Sequence, residues 1–236
     1  MPKGLFVAGT DTGVGKTLVA CALIRILRER GVDAVGFKPV ATGQESGRWP
    51  DAEALREASG ETEPVERICP LRYKAPLSPL AAAKLEGAVP DLGLARRALV
   101  ELSARHACVV AEGIGGLLVP LDRTTLLLNF IQATGFPVVL VARAGVGTIN
   151  HTLLSLRELE RARVSLAALI VNVTRKADEG NVAHCVPEIE HHAWRKVSAV
   201  IPYLGPEDAS EASYATWLDD AAKCLSEKLD VPGLTQ

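Results

Sequence analysis

A glycine-rich segment between a short apolar run and a long amphipathic run limits most strongly how this chain can fold. Residues 4–8 are apolar and predict a strand, and residues 15–30 have the period of a helix. Between them the sequence reads Gly9-Thr10-Asp11-Thr12-Gly13-Val14-Gly15-Lys16-Thr17. A strand, a glycine turn and a helix in this order direct backbone N–H groups and the positive end of a helix towards an anion. The sequence therefore predicts a phosphate-binding loop over residues 9–17, called the phosphate loop below.

The side chains of the phosphate loop indicate a nucleoside triphosphate. Lys16 is placed to reach the β and γ phosphates, and the Thr17 hydroxyl can bind magnesium. The strict GxxxxGK[ST] pattern would have a glycine at position 10, where this chain has Thr10, so the loop is one residue longer. The chain lacks a guanine-reading NKxD tetrapeptide, which favours ATP over GTP. Nucleotide contacts are expected from Gly13, Val14, Gly15, Lys16, Thr17 and Leu18.

Apolar runs and helical periods alternate along the rest of the chain. Strands are predicted over residues 33–37, 107–111, 137–142, 166–172 and 197–201. Helices are predicted near residues 52–58, 79–86, 92–104, 125–134, 148–161, 182–196 and 213–229. Strands rich in Val, Ile and Leu that alternate with helices are typical of a parallel sheet covered on both faces. The sequence thus predicts a three-layer α/β P-loop fold in one domain over residues 1–236, with residues 39–90 as an insertion near the active site.

Composition and charge exclude several classes of partner. Lys and Arg number 26 against 28 Asp and Glu, so the net charge of -2 supplies no positive field for a nucleic acid or an anionic membrane. Aromatic residues make up only 4%, too few for a surface that stacks bases. No apolar run approaches the roughly 20 residues of a membrane helix, and the first residues lack a secretory signal. A cytoplasmic protein that acts on small molecules is expected.

The cysteines and histidines give little functional signal. The five cysteines are odd in number and form no CxxC pair, so they are interpreted as reduced packing residues: Cys21, Cys69, Cys108, Cys185 and Cys224. A cluster of metal-binding residue types is formed by His184, Cys185, His191 and His192. No carboxylate or second cysteine completes a ligand set there, so its role is left open.

Charged residues stand near the carboxyl ends of predicted strands, where ligands bind in doubly wound sheets. Lys38 ends the second strand; taken alone, it could also be a solvated strand end. Glu112 ends another strand, and the glycines behind it predict a tight turn close to a nucleotide, with contacts from Gly113, Ile114 and Gly115. Asp51 could be the N-cap of the following helix or a metal ligand, and the two roles can coexist.

The chemistry predicted from these residues is phosphoryl transfer. The sequence has no GxSxG motif and no supported Cys–His pair, which argues against a covalent nucleophile. Thr17, Asp51 and Glu112 are expected to hold magnesium. Lys16 and Lys38 are expected to stabilise charge on the transferred group.

At this point the sequence resembles the dethiobiotin synthetase family, which closes the ureido ring in biotin synthesis. The resemblance rests on the phosphate loop and on four further blocks, in matching order and spacing: Phe37-Lys38-Pro39-Val40-Ala41-Thr42-Gly43, Glu112-Gly113-Ile114-Gly115-Gly116, Gly147-Thr148-Ile149-Asn150-His151 and Asn172. It implies an ATP- and magnesium-dependent cyclo-ligase that converts diaminopelargonic acid (7,8-diaminononanoate) and carbon dioxide to dethiobiotin. The implied intermediates are a carbamate and a carbamic-phosphoric anhydride.

The resemblance also implies roles for individual residues. Lys38 would be the catalytic lysine, with Thr12 and Lys16 beside the transferring phosphate, and Thr42, where the family usually has serine, would contact the diamine or carbamate. Gly13 stands where some members have Glu. The substrate carboxylate would bind across a homodimer interface to Gly147, Thr148, Ile149 and Asn150. The adenine would be contacted by Asn172, Val173, Pro202, Tyr203 and Leu204.

Two other P-loop classes are alternatives. A partition or septum-positioning ATPase works as a binding switch, but such proteins usually carry a second lysine early in the loop, where this chain has Thr10-Asp11-Thr12. A cobyrinate or cobyric acid amide synthase would need a glutaminase domain with a nucleophilic cysteine, for which the chain has no room.

Overall fold

The computed structural model describes residues 4–205 and 214–235. Within these residues the chain forms two sheets, and the strands of each sheet are parallel. The central sheet has the strand order β2-β5-β1-β6-β7-β8, and a small second sheet pairs β3 with β4. The strands are β1 (Gly4–Gly9), β2 (Ala34–Phe37), β3 (Val40–Thr42), β4 (Leu71–Tyr73), β5 (Cys108–Gly116), β6 (Val138–Arg143), β7 (Leu166–Asn172) and β8 (Ala199–Ile201).

The first eight helices lie in the connections between these parallel strands, and the ninth follows the last strand. In chain order they are α1 (Lys16–Glu29), α2 (Pro50–Ala58), α3 (Val65–Ile68), α4 (Pro79–Leu85), α5 (Leu92–Arg105), α6 (Leu127–Thr134), α7 (Thr148–Arg161), α8 (Val182–Ala193) and α9 (Tyr214–Lys228). Short 3-10 segments occur at Lys176–Asn181 and Gly233–Thr235. No helix of the described ranges combines the length and the apolar character that crossing a membrane requires.

The core lies on both faces of the central sheet. On β1, Phe6 and Ala8 pack into one buried cluster, and Leu5 and Val7 pack into the other. Successive side chains of a strand point to opposite faces, so one strand contributes to both layers. The first cluster includes residues of α5, α6 and α7, and the second includes residues of α1 and α9. The predicted three-layer α/β fold with a mostly parallel sheet is confirmed, and the extent of the domain stays a prediction.

The structure corrects several predicted boundaries. β5 continues through Gly116, which pairs with Gly9 of β1, so the expected tight turn directly after Glu112 is wrong. The eighth helix ends at Ala193 rather than 196, because Trp194 adopts a left-handed conformation with φ 54° that stops the helix. Ser213, predicted to begin the last helix, lies outside the described residues.

The segment 39–90 was predicted only as an insertion with short helical pieces. It contains the small sheet of β3 and β4 in addition to α2, α3 and α4. The main-chain N–H of Lys38 donates to the carbonyl of Ile68, 2.7 Å away. This bond connects the end of β2 to α3, so the insertion is tied to the strand that carries the predicted catalytic lysine.

Candidate nucleotide and metal site

The phosphate loop joins β1 to α1, and its last glycine fixes the start of the helix. Gly15 has φ 93°, in the left-handed region that favours glycine. A Cβ atom at this position would also collide with the side-chain nitrogen of Asn172. That nitrogen donates to the main-chain oxygen of Val14 over 3.0 Å. The end of β7 therefore holds the phosphate loop in place through Asn172.

The side chain of Lys16 folds back over the phosphate loop. Its Nζ donates to the main-chain oxygen of Asp11 over 2.8 Å, and the residue is only 7% exposed. Burial, and next the charge of Lys38, lower the pKa of Lys16 to about 8. A buried ammonium group at the start of α1 is suited to a triphosphate, whose oxygens would add negative charge next to it.

Four side chains from different parts of the chain meet next to the phosphate loop, and they are called the carboxylate cluster below: Thr17, Lys38, Asp51 and Glu112. Lys38 Nζ donates to Glu112 Oε1 over 2.6 Å, to Asp51 Oδ2 over 2.7 Å and to the Gly113 oxygen over 3.2 Å. Thr17 Oγ1 lies 2.9 Å from Asp51 Oδ1 and 3.0 Å from Glu112 Oε1. The structure thus brings the three predicted metal ligands and the predicted catalytic lysine together.

Burial and charge compete in the carboxylate cluster. Burial opposes the charge of Lys38, but Glu112 and Asp51 outweigh it and raise the pKa of Lys38 above its usual range. Burial would raise the pKa of Asp51, but the charge of Lys38 and its hydrogen bond lower it. Complete burial raises the pKa of Glu112. The ammonium of Lys38 is therefore a fixed positive charge.

The residues of the carboxylate cluster fit a magnesium ion. Glu112 Oε2 is buried and has no hydrogen-bond partner among the described residues, so this oxygen is open to a cation. Two carboxylates and a hydroxyl are the hard oxygen ligands that Mg²⁺ prefers. The described residues contain no group of three or more His, Cys, Asp or Glu that could hold a metal. The protein therefore offers an incomplete shell, which nucleotide oxygens and water would complete.

Asp51 reaches the carboxylate cluster because α2 begins one residue before it. The N-cap is Trp49, Pro50 takes the first turn and Asp51 follows, so the interpretation of Asp51 as the N-cap is wrong. Trp49 Nε1 donates to the Tyr73 oxygen over 3.0 Å and fixes the start of the helix. The carboxylate of Asp51 is consequently directed to Thr17 and Lys38.

A cavity of about 330 Å³ opens beside the start of α1. It is called the nucleoside cavity below, and its lining is Gly15, Thr17, Leu18, Asn172, Val173, Thr174, Pro202, Tyr203, Leu204, Gly205, Tyr214 and Trp217. All five residues predicted to contact adenine line this cavity. Tyr214 and Trp217 of α9 are added by the structure, and no motif in the sequence could have indicated them.

A second cavity, of about 360 Å³, adjoins the other side of the phosphate loop and is largely apolar. Its lining is Thr10, Gly116, Leu117, Leu118, Val119, Pro120, His151, Leu154, Ser155 and Glu158. Thr12 lies beside Gly115, the neighbour of the lining residue Gly116: a Cβ atom on Gly115 would be 3.5 Å from Thr12 Oγ1. This cavity lies between the end of β5 and α7.

The predicted substrate residues belong to other elements than the residues of the carboxylate cluster. Gly147 has φ 89° and is the N-cap of α7, and Thr148, Ile149 and Asn150 form the first turn of that helix. Thr148 Oγ1 is buried and without a hydrogen-bond partner in the described ranges. Thr42 ends β3, opposite Tyr73, and its side chain makes no hydrogen bond to the carboxylate cluster.

Comparisons with known proteins agree with this geometry. A family model described as an AAA domain matches residues 3–210. The chain is 49% identical over 201 residues to the ATP-dependent dethiobiotin synthetase BioD of Anaeromyxobacter dehalogenans (strain 2CP-1), covering 85% of this chain and 90% of the relative. It is 39% identical over 171 residues to that of Bacillus licheniformis, covering 72% and 73%.

Solved structures support the fold. A ParA family ATPase from Chlorobium tepidum TLS superposes with a TM-score of 0.52 and 12% identity, covering 96% of this chain and 93% of that one. At this identity the similarity concerns the fold alone. The sequence relatives decide the family, since they match over most of both chains. This chain belongs to the family of ATP-dependent dethiobiotin synthetases.

Proposed function

We propose that this chain closes the ureido ring of dethiobiotin from 7,8-diaminononanoate and carbon dioxide, with ATP as co-substrate and magnesium as cofactor. The observation that carries the proposal is the position of Lys38. Its ammonium is 1% exposed, lies between Glu112 and Asp51, and adjoins the helix that begins at the phosphate loop. A buried, fixed positive charge at this place suits the transfer of a phosphoryl group.

The proposed reaction has three steps: carbamate formation, phosphorylation and ring closure. One amine of the diamine adds to carbon dioxide and forms a carbamate with loss of a proton. A carbamate oxygen then attacks the γ phosphorus of ATP, ADP leaves, and a carbamic-phosphoric anhydride forms. Finally the second amine attacks the carbonyl carbon, inorganic phosphate leaves with the bonding electrons, and the amine proton is released as the ring closes.

The residues of the site act on charge and position. When bound, magnesium would be held by Thr17, Asp51 and Glu112 and would neutralise the triphosphate. Lys16 and Lys38 stabilise the charge of the transferring phosphoryl group, and Thr12 and the phosphate-loop N–H groups orient it. Because its neighbours raise the pKa of Lys38 and keep it protonated, this residue acts as an electrostatic group and not as a general base.

The substrate is proposed to lie on the side of the phosphate loop that faces α7. The apolar cavity between β5 and α7 suits an alkyl chain, and the N-terminal turn of α7 at Gly147–Asn150 suits a carboxylate. As in the sequence-based prediction, the carboxylate would bind near the interface of a homodimer, and Thr42 would contact the diamine or carbamate. The cytoplasmic location also stays a prediction.

The test is a reaction with purified protein, 7,8-diaminononanoate, bicarbonate, magnesium chloride and ATP. Dethiobiotin is measured by mass spectrometry and ADP by a coupled assay. We expect one ADP per dethiobiotin, and ADP formation that depends on the diamine. Hydrolysis of ATP at the same rate with and without the diamine would contradict the proposal and favour a partition-type switch.

A further inference from the structure

The indole nitrogen of Trp217 is an unpartnered donor at the nucleoside cavity. Nε1 is buried and has no hydrogen-bond partner in the described part of the chain, and Trp217 lines the cavity. A tryptophan N–H can only donate. When it is buried without an acceptor, it loses its hydrogen bond to water and gains none in exchange, which costs free energy. Most buried polar groups in folded proteins are hydrogen-bonded, and an exception calls for a partner that the protein itself does not supply.

The position of the cavity indicates what that partner is. Gly15 and Thr17, at the phosphate-binding end of α1, form one end of the lining, and the exits of β7 and β8 form its sides. A triphosphate bound on the phosphate loop would therefore direct its nucleoside into this cavity. Base ring nitrogens and ribose oxygens are acceptors of the kind that an indole N–H can bind.

The helix that carries Trp217 is fixed to α1. Tyr214 lies three residues earlier on α9, on the same face, and its hydroxyl lies close to the buried thiol of Cys21 in α1. An ion pair joins Arg25 of α1 to Asp219 of α9. These contacts lie on the helix that begins at the phosphate loop, so they set the position of Trp217 relative to the phosphates.

We propose that Trp217 is a nucleoside-binding residue whose Nε1–H donates to a ring nitrogen of the base or to an oxygen of the ribose. The inference rests on the proposed function, in which the cavity holds ATP. It adds a residue of α9 to an adenine site that the sequence assigns only to Asn172, Val173 and residues 202–204.

The first test compares Trp217→Phe, which keeps an aromatic ring and removes the N–H, with Trp194→Phe. Trp194 is 90% exposed and lies outside the site, so its variant is the matched control. We expect the Kd of MgATP, measured by calorimetry, to rise about 3- to 10-fold in Trp217→Phe and to stay unchanged in Trp194→Phe, as expected for one lost hydrogen bond. The KM of ATP should rise in parallel while kcat changes less than twofold.

Nucleotide analogues identify the acceptor. Wild type and Trp217→Phe are titrated with 1-deaza-, 3-deaza- and 7-deaza-ATP and with 2′-deoxy- and 3′-deoxy-ATP. The analogue that lacks the partner atom should bind wild type about 3- to 10-fold more weakly than ATP and should show no further loss in the variant. Equal losses in both proteins for every analogue would overturn the proposal.

A measurement on the wild-type chain covers the case in which Trp217→Phe fails to fold. The three tryptophans are labelled with 5-fluorotryptophan, and the ¹⁹F signals are assigned with single Phe variants of Trp49 and Trp194. The third signal then belongs to Trp217. ATP should shift the signal of Trp217 and leave that of Trp194 in place. An unshifted Trp217 signal in a protein that binds ATP would overturn this inference alone. A wild-type protein that binds no ATP would refute the proposed function as well.

Discussion

Lys38 Nζ lies 2.6 Å from Glu112 Oε1, and each side chain is 1% exposed. The two residues are 74 positions apart in the sequence, and the sheet brings them together. β2 and β5 pair in parallel with Phe37 opposite Ala111. Lys38 and Glu112 are the next residues along the chain, so they lie side by side at the same edge of the sheet. The ion pair is therefore a direct result of strand register, and a shift of one residue would remove it.

The lowered pKa of Lys16 predicts that nucleotide binding takes up a proton. In the protein without nucleotide the pKa of Lys16 is about 8, because its ammonium is buried and lies near Lys38. Triphosphate oxygens would raise this pKa. A group that is better protonated in the complex makes affinity fall as pH rises through the pKa of the free form. At pH 8 we expect uptake of about half a proton per ATP, from linkage.

Calorimetry in buffers with different ionisation enthalpies measures this proton at pH 8. Lys16→Arg is the control, because a guanidinium stays charged throughout and should abolish the uptake. If wild type takes up no proton, the ammonium of Lys16 is not the group that meets the phosphates.

The hydroxyl of Thr17 should matter for metal-dependent binding. Thr17→Val keeps the shape of the side chain and removes the oxygen that contacts Asp51 and Glu112. We expect the Kd of MgATP to rise by at least about 10-fold, since one ligand of the metal is lost. ATP titrated with EDTA should lose much less affinity. Thr17→Ser retains the hydroxyl and should behave as wild type; equal MgATP affinity in the Val variant would exclude Thr17 as a ligand.

Gly15 should tolerate no side chain. Its φ of 93° and the side chain of Asn172 both oppose a Cβ atom. Gly31, with φ 79° and no atom within 4 Å of the place that a Cβ would occupy, is the matched control that isolates the backbone effect. Gly31→Ala should lower the free energy of unfolding by about 1 kcal/mol. Urea unfolding of Gly15→Ala should show a larger loss, together with loss of ATP binding; equal losses would show that Asn172 does not constrain the loop.

The sequence predicted those parts of the site that depend on local chain geometry. The phosphate loop is a contiguous strand–glycine–helix unit, and the strand-end rule placed Lys38 and Glu112 correctly beside it. The structure was needed for the parts of the site that depend on contacts between segments far apart in the sequence. Pairing of Gly116 with Gly9 extends β5, and the contact of Trp49 with the Tyr73 oxygen fixes where α2 begins. Trp217 belongs to the site only because α9 packs on α1, which no local pattern encodes.

Removal of the Lys38 ammonium tests its role in stability as well as in catalysis. Lys38→Met leaves Glu112 and Asp51 without their buried counter-charge, so we expect the metal-free protein to lose about 3 kcal/mol of unfolding free energy. Magnesium and ATP should restore part of this stability. Thermal unfolding with and without MgATP measures both effects, and an unchanged metal-free stability would contradict the paired arrangement.

The most direct measurement of the central claim compares dethiobiotin formation by wild type and Lys38→Met at saturating MgATP, with bound nucleotide measured in the same samples. We predict that both proteins bind the nucleotide and that the variant forms dethiobiotin at least about 100-fold more slowly, because the transferring phosphoryl group has lost a fixed positive charge. Turnover by Lys38→Met at the rate of wild type would show that the buried ammonium takes no part in the chemistry.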